Sequence, residues 1–267
     1  MKCGEVIVHN EKTEGEIITI FSTASAVGKS VLSTNLAAQL AKCNYNVCLV
    51  DLDFQFGDVC HYLKLKPEYS FYDYQKDPDK GVSKYLLKYN DNLSVLAAPV
   101  KLEESYNIEA QIVLQAINEL RKSYDYIVID TASGFNEVNL VGLDISKTIV
   151  FLGIVDFIPT IKNMKIGYGT MLNIGYPKEK IRFILNRSNA EKNINVKDVE
   201  SILGEKFYHS LPNEFGGIIN SLRTGIPLVY NPTSSEYGDS VTKLVEKLLG
   251  RVAKSNSGSW ISRLFGG

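Results

Sequence analysis

Residues that could do chemistry gather at several points of the chain, and the first is a loop that could hold a phosphate. Gly28, Lys29 and Ser30 fall within the stretch IITIFSTASAVGKSVLSTNLA, which spans residues 17–37. A loop of this kind binds phosphate through backbone N–H groups at a helix N-terminus, while the lysine neutralises charge and the serine hydroxyl binds Mg²⁺. Taken alone, the triplet also fits an ordinary helix start with glycine and serine as turn and cap residues.

Acidic side chains stand at the ends of two later apolar runs. Asp51 and Asp53 lie in CLVDLDFQFGD, two residues apart and therefore on the same side of an extended chain. Asp130 ends the run in YDYIVIDTASG, where an acid can hold Mg²⁺ through water. Either acid alone could be only a turn former or a helix cap. Because the loop and both acidic runs occur in this order, the sequence predicts a nucleotide site that uses Mg²⁺.

These motifs need a scaffold in which several strands end at one edge. Seven apolar runs predict strands, and the segments between most of them are long enough for crossover helices, such as residues 106–122, 157–173 and 195–203. Repeated strand and helix units predict an α/β fold with a mostly parallel sheet and helices on both faces. The predicted strands are EIITIFS, NVCLVDLD, LSVLAAP, YDYIVID, KTIVFLG, KIRFILNR and KFYHSLP.

Composition limits the classes of function. With 267 residues, 45% of them hydrophobic, the chain can bury a full core, and one domain is the default. A net charge of −1 gives no general electrostatic reason to bind nucleic acid, although a local basic patch stays open. The four cysteines form no Cys-x-x-Cys pair, so we expect reduced thiols in a cytosolic protein. No apolar run predicts a signal peptide or a transmembrane helix.

The motifs in their order resemble a known family. The loop, VDLDFQFGD, YIVIDT, ILNR and LPNEF followed by INSLRTGIPLV are similar to the MinD/ParA group of deviant P-loop ATPases, over residues 16–250. The stretch DLDFQFGDV resembles its branch of pilus-assembly ATPases called CpaE or TadZ. This resemblance implies a P-loop NTPase fold with ATP and Mg²⁺ as cofactors. It also implies a homodimer that forms on ATP binding, with pilus or secretion machinery as partners.

The resemblance also implies roles for individual residues. Ser30 and Asp130 would serve Mg²⁺, Asp51 would support the metal-bound water, and Asp53 would orient the attacking water as the catalytic residue. Asn186 and Pro212 would border the adenine, although Asn186 could be only a turn residue and Pro212 only a helix starter. The predicted cofactor-binding residues are Ser25, Ala26, Val27, Gly28, Lys29, Ser30, Val31, Asn186 and Pro212.

The loop departs from the family pattern in its first half. Ala24, Ser25 and Ala26 replace the family's leading Lys-Gly-Gly. In the family that lysine reaches across an ATP-sandwiched dimer to the partner's phosphates, and an alanine cannot. A missing cation of this kind is worth roughly 10³ to 10⁵ in rate by analogy with an arginine finger. We therefore expect ATP binding with slow or absent hydrolysis, and backbone strain at any replaced glycine that needs a positive φ.

The C-terminal residues predict a membrane contact. Residues 260–267 read WISRLFGG, and on a helix the four large apolar side chains fall within one arc, as in a helix that lies on a membrane. The stretch is also similar to the C-terminal targeting helix of MinD. A tail that packs on the body of the protein is the alternative. The side chains predicted to meet the inner face of the cytoplasmic membrane are Trp260, Ile261, Leu264 and Phe265.

Two classes of function follow for a cytoplasmic, peripherally membrane-associated protein. The first is a nucleotide-gated protein that positions a pilus or secretion machine, with cell-division placement as its sibling. The second is a scaffold with a degenerate nucleotide site. DNA segregation is disfavoured by the net charge and the tail. The predicted organisation is an N-terminal extension (1–15), a nucleotide-binding domain (16–250), a linker (251–259) and an amphipathic tail (260–267).

Overall fold

A sheet of eight strands forms the centre of the protein. The computed structural model describes residues 14–156, 158–189, 194–231 and 234–250. The strands in these ranges are β1 (Glu16–Phe21), β2 (Val47–Leu52), β3 (Leu87–Lys88), β4 (Leu93–Leu96), β5 (Tyr126–Thr131), β6 (Thr148–Gly153), β7 (Ile181–Leu185) and β8 (His209–Ser210). Their spatial order is β3-β4-β2-β5-β1-β6-β7-β8, and every neighbouring pair is parallel except β3 with β4.

Helices cover both faces of this sheet. They are α1 (Lys29–Lys42), α2 (Val59–Tyr62), α3 (Phe71–Lys76), α4 (Leu102–Ser105), α5 (Ala110–Arg121), α6 (Glu137–Ile145), α7 (Ile158–Asn173), α8 (Val196–Leu203), α9 (Phe215–Thr224) and α10 (Glu236–Leu248). Helices α1 and α10 build the core on one face, whereas α3, α5, α7 and α8 build the two clusters on the other. The predicted α/β P-loop NTPase fold, with a mostly parallel sheet and helices on both faces, is confirmed.

Burial on both faces explains why the strand sequences are apolar runs rather than alternating patterns. Ile18 and Ile20 of β1 join the cluster under α1 and α10, while Ile17 joins the cluster under α5. Strands β2 and β5 are buried along their whole length. A parallel sheet covered by helices on both sides favours such sequences. The central strands were predictable for this reason.

The edges of the sheet differ from the prediction. The run KFYHSLP forms only the two residues of β8. Just before it, the N–H of Tyr208 donates to the carbonyl of Phe183 in β7, and the N–H of Phe207 donates to the Glu200 carboxylate. The sequence did not predict β3, and the helix predicted from residue 106 begins at Ala110. Pro212 starts no helix, since α9 begins at Phe215.

Two predicted segments lie outside the described residues. These are the linker with the amphipathic tail, residues 251–267, and most of the N-terminal extension, residues 1–13. Within the ranges that the structure describes, no helix is both long and apolar enough to span a bilayer.

Candidate functional site

A cavity of about 930 Å³ opens where the loop between β1 and α1 meets the carboxyl ends of the neighbouring strands. Most of the predicted site residues line it. Three do not: Val27 has its side chain in the core, and Asp51 and Asp130 are buried at the ends of their strands. The predicted residues that line the cavity are Ser25, Ala26, Gly28, Lys29, Ser30, Val31, Asp53, Asn186 and Pro212.

Gly28 sets the turn from the loop into α1. Its φ of 97° lies in the left-handed region, and its carbonyl accepts the first helical hydrogen bond from Leu32 N–H at 3.0 Å. A Cβ at this position would lie 2.6 Å from Nδ2 of Asn186. Both the backbone angle and the close contact therefore require glycine.

The end of β7 holds the loop by two carbonyls. Nδ2 of Asn186 donates to the carbonyl of Val27 at 2.8 Å, and the guanidinium of Arg187 donates to the carbonyl of Ala26 at 2.8 Å. Arg187 also lies 3.8 Å from the carboxylate of Asp156. Oδ1 of Asn186 accepts from the N–H of Arg187 at 2.9 Å, so both polar groups of this amide are engaged. Asn186 thus shapes the loop, and its contact with an adenine stays a prediction.

Ala26 is the replaced glycine that carries the expected strain. Its φ is 57°, which is in the left-handed region. A residue with a Cβ is disfavoured there by about 1–2 kcal/mol. The hydrogen bond from Arg187 stabilises this conformation from outside the loop.

Lys29 lies at the floor of the cavity with little exposure to solvent. Its ammonium donates to Oγ of Ser133 at 2.9 Å, and the hydroxyl of Ser25 donates to the same atom at 3.2 Å. Burial lowers the pKa of Lys29, and the charges of Asp130 and Asp53 partly oppose that shift. Ser133 was not predicted from the sequence; the signal that points to it is its place three residues after Asp130 in the stretch IDTAS.

Asp130 is a fully buried carboxylate with the hydroxyls of Ser30 and Ser33 nearby, but without a hydrogen bond of good geometry. Neither of its oxygens has a partner in the described part of the chain. Burial raises its pKa to about 6, although the nearby hydroxyl of Ser30 and the charge of Lys29 act in the opposite direction. A buried charge without a partner is unfavourable unless a cation lies nearby. The position therefore fits a divalent cation close to Ser30.

Asp51 is the neighbour of Asp130 across the sheet, but its environment is different. The two are in register between β2 and β5. The carboxylate of Asp51 accepts the N–H groups of Asp53 and Val59 at 3.1 and 3.2 Å. Burial and then the charge of Asp130 raise its pKa well above the ordinary range. Each oxygen of Asp51 thus accepts one backbone N–H, and its support of a metal-bound water stays a prediction.

Acidic side chains alone could not bind a metal ion here. Within the described ranges, no group of three or more His, Cys, Asp or Glu residues could hold one. A Mg²⁺ ion would thus need phosphate oxygens, a hydroxyl and water as further ligands. The predicted set of Ser30, Asp51 and Asp130 fits such a site and not an all-protein cage.

Asp53 lines the cavity at a turn. Its Oδ1 accepts the N–H of Phe56 at 3.2 Å, and its charge acts on Lys29. Phe56 is 74% exposed, and Phe215 of α9, 71% exposed, lines the same cavity. Helix α9 has no buried residue. This apolar rim was not predicted from the sequence, because helical spacing of apolar residues normally indicates a core-facing side.

Known proteins share both the sequence pattern and the fold. Residues 18–216 match the CobQ/CobB/MinD/ParA nucleotide binding domain. The chain is 26% identical over 250 residues to the septum site-determining protein MinD of Thermotoga maritima, covering 89% of this chain and 88% of that protein. A ParA family ATPase from Chlorobium tepidum has a similar structure, with a TM-score of 0.82, 19% identity and coverage of 88% of this chain and 99% of that one.

A further solved structure is the septum site-determining protein MinD from Pyrococcus horikoshii, complexed with Mg-ADP. It has a TM-score of 0.77 and 21% identity, and the match covers 90% of this chain and 99% of that one. At these identities the two structures support the fold, and the sequence match over residues 18–216 supports the family. The chain therefore belongs to the CobQ/CobB/MinD/ParA family of nucleotide-binding domains.

Proposed function

We propose that the chain binds Mg-ATP in the cavity beside α1, dimerises when it does so, and hydrolyses ATP slowly or not at all. The observation that carries this proposal is the unpartnered carboxylate of Asp130 behind Lys29 and Ser30. Without a cation, this buried acid has no compensation beyond Lys29 and nearby hydroxyls. Mg²⁺ held between ATP phosphates, Ser30 and a water on Asp130 would supply the missing positive charge.

Each residue of the loop has a task in this proposal. Backbone N–H groups from Ser25 to Val31 would face the phosphates, and the ammonium of Lys29 would exchange its contact with Ser133 for phosphate oxygens. Asp53 stands in the cavity, where it could hold a water for attack. Asn186 and Pro212 line the side on which the adenine would lie.

Slow hydrolysis follows from the first half of the loop. Ala24 is half-buried and packs against the core cluster under α1. Its methyl group can neither reach a phosphate nor carry charge. The cations that line the cavity in the described part of the chain are Lys29 and Arg187, and Arg187 is bound to the loop backbone and to Asp156. Binding would therefore be retained while stabilisation of the transition state is reduced.

The proposed dimer would act at the inner face of the cytoplasmic membrane through Trp260, Ile261, Leu264 and Phe265. One such tail binds a bilayer weakly, whereas two tails on one dimer can add roughly 10² to 10⁴ in apparent affinity. ATP would thereby control where the protein is located. The similarity of DLDFQFGDV to the CpaE/TadZ branch supports a pilus or secretion apparatus as the machine that is positioned or assembled there.

A second candidate is placement of the cell-division site. It is favoured by the match to a septum site-determining MinD across 89% of this chain. Deletion of the gene in its source organism separates the two candidates: loss of surface pili supports the first, and misplaced septa support the second. Normal pili together with normal septa would instead favour a scaffold function, in which the degenerate nucleotide site has only a structural role.

The site itself is tested by measuring ATP affinity with Mg²⁺ and with EDTA, for the wild type and for Asp130→Asn. The wild type should bind ATP more tightly with Mg²⁺ than with EDTA. In Asp130→Asn the affinity for ATP in Mg²⁺ should fall by roughly 10- to 100-fold. The exposed Asp91→Asn is the matched control and should behave as the wild type. Equal wild-type affinities in Mg²⁺ and EDTA would contradict the proposed Mg-ATP site.

A further inference from the structure

A second charged surface lies far from the nucleotide cavity, around Tyr208. Cζ of Arg182 is 5.2 Å from the centre of the Tyr208 ring, and Nζ of Lys247 is 5.7 Å from it. Lys247 also donates to the carbonyl of Tyr208 at 3.3 Å. Lys206 lines a cleft of about 380 Å³ together with Arg182 and Tyr208. We call Arg182, Lys206, Lys243 and Lys247 the basic patch.

The charges of the basic patch are not compensated. In the part of the chain that the structure describes, none of its four members has a carboxylate within ion-pair distance. Glu205, the acid that lines the cleft, is bound instead to Lys178 at 3.2 Å and to the hydroxyl of Tyr168 at 2.8 Å. The neighbouring acid is thus already neutralised. An anion at Tyr208 would meet Arg182 and Lys247, with Lys206 in the adjoining cleft.

The pKa of His209 is affected by the positive charges at this surface. Burial lowers its pKa first, and the charges of Lys247 and Lys243 lower it further, while its contact with Ser240 acts in the opposite direction. Lys243 and Lys247 are one helical turn apart on α10 and are both exposed. They therefore act on the same region of surface.

The position of the basic patch relates it to the end of the described chain. Arg182 is the second residue of β7, so the patch lies at the opposite end of this strand from Asn186 and the nucleotide cavity. The last residues of α10 pack at the first residues of β1, β5 and β6, which is the same end of the sheet. Only two residues separate Lys247 from Gly250, beyond which the chain continues toward the predicted amphipathic tail.

We propose that the basic patch binds the anionic headgroups of a lipid bilayer and presses this end of the protein against the membrane. The inference rests on the proposed function, because the tail would bring the patch to the surface. A basic residue near an anionic membrane contributes about 1 kcal/mol, which is a gain of about fivefold in affinity for each cation. Since the tail supplies apolar contact and the patch supplies charge, binding takes both signals.

A bilayer suits this surface better than a long nucleic acid. The whole chain carries a net charge of −1, so the rest of its surface repels an extended polyanion that runs past the patch. A flat membrane would meet only the end of the sheet from which the chain leaves. The nucleotide cavity, at the other end, would stay open to the solvent.

The test uses the full chain and sedimentation with vesicles that contain either only phosphatidylcholine or about one third phosphatidylglycerol. Lys243→Gln with Lys247→Gln removes two exposed charges without disturbing the core. This variant should bind the anionic vesicles roughly 25-fold more weakly than the wild type and should show a smaller loss of binding on addition of salt. The control is Lys80→Gln with Lys88→Gln, two exposed lysines that already have acidic partners, which should bind as the wild type does.

Equal affinity of the patch variant and the wild type for anionic vesicles would overturn the proposal. So would binding of a DNA duplex that is lost in the patch variant while vesicle binding is unchanged, since the patch would then be a nucleic-acid surface. Phe265→Glu in the full chain separates the inference from the proposed function. If Phe265→Glu binds anionic vesicles as the wild type does and the patch variant binds more weakly, the proposed role of the tail is wrong and that of the basic patch is supported. If Phe265→Glu binds more weakly and the patch variant binds as the wild type does, the tail is supported and the basic patch is refuted.

Discussion

The two halves of the loop before α1 have different structures and different chemistry. The second half, Val27 and Gly28 together with the first residues of α1, Lys29 and Ser30, contains a buried valine, a glycine with the required positive φ, and a lysine at the floor of the cavity. In the first half, Ser25 and Ala26 are exposed, and Ala26 has a φ of 57° that disfavours its side chain. Ala24 leaves that half without a cation.

This difference suggests that nucleotide binding and hydrolysis depend on separate parts of one loop. The second half has the groups that meet phosphate and Mg²⁺, and its shape is held by Asn186. The first half would act on the transition state through a partner subunit, and there the chemistry is missing. Loss of the hydrolytic half therefore need not remove ATP binding, and the following substitutions test whether the two functions are separate.

The largest effect is expected for Lys29→Ala, which breaks the half that binds. The variant should lose ATP affinity by roughly 10² to 10³, because a charge-assisted contact in a largely buried site is removed. Titration calorimetry in Mg²⁺ measures the change. Lys165→Ala, an exposed position on α7, is the control and should bind normally. Retained wild-type affinity in Lys29→Ala would refute the proposed site.

Restoring the first half should affect turnover more than affinity. Ala24→Lys with Ser25→Gly and Ala26→Gly should raise ATP hydrolysis by roughly 10- to 10³-fold while the affinity changes by less than about threefold. The added lysine would act on the transition state across the dimer. Steady-state turnover and equilibrium binding are both needed. The triple variant with Asp53→Ala added should still bind ATP and dimerise, but its ATP hydrolysis should fall back to the wild-type rate. If the triple variant dimerises and yet hydrolyses ATP no faster than the wild type, slow hydrolysis has a cause other than the missing lysine.

Asp130 should make the protein without ligands less stable at high pH. Its folded pKa of about 6 lies above the ordinary value of 3.8. A raised folded pKa contributes stability that is present below about pH 4 and is lost as the pH rises through about 6. Asp130→Asn should therefore stabilise the apoprotein by roughly 1 to 3 kcal/mol at pH 8, and by less at pH 5.

Urea denaturation in EDTA at the two pH values measures this difference. The charge of Asp130 raises the pKa of Asp51 and acts against the lowered pKa of Lys29, so the two pH values are compared within each variant. The exposed Asp91→Asn should change stability by less than about 0.5 kcal/mol at either pH. An Asp130→Asn variant that is less stable than the wild type at pH 8 would mean that this acid is compensated by contacts in the apoprotein.

The smallest effect is expected for Ala26→Gly alone. Removing the Cβ from a residue with a left-handed backbone should stabilise the protein by about 0.5 to 1 kcal/mol, after the greater freedom of glycine in the unfolded chain is subtracted. Ser25→Gly is the matched control, because Ser25 is not among the residues with a positive φ. This variant should be slightly less stable than the wild type. The urea midpoints of the two variants should therefore shift in opposite directions.

The sequence predicted those parts of the fold that follow from local patterns. Strands such as β1 and β5 are apolar runs because both faces are buried, and the start of α1 is marked by Gly28. The run KFYHSLP predicts a longer edge strand than the two residues of β8, and no local pattern indicates the bond from Phe207 to Glu200 beside it.

Contacts between distant segments explain what the sequence did not show in the site. Ser133 and Arg187 meet the loop across 104 and 161 residues. Asp51 was predicted to support a metal-bound water, and that role stays a prediction. The sequence did not show that its carboxylate accepts two backbone N–H groups. Whether a carboxylate has its own partners depends on the turn that follows it, and residue type at a strand end does not determine that turn.

The close contact between Gly28 and Asn186 has an evolutionary consequence. A Cβ at residue 28 would lie 2.6 Å from the Asn186 amide, and that amide holds the carbonyl of Val27. Because Gly28 also has a φ of 97°, a shorter side chain at position 186 would not admit a side chain at position 28. Among homologues that keep this loop, position 28 should therefore stay glycine, and position 186 should change only to side chains that still donate to the carbonyl of residue 27 without approaching residue 28.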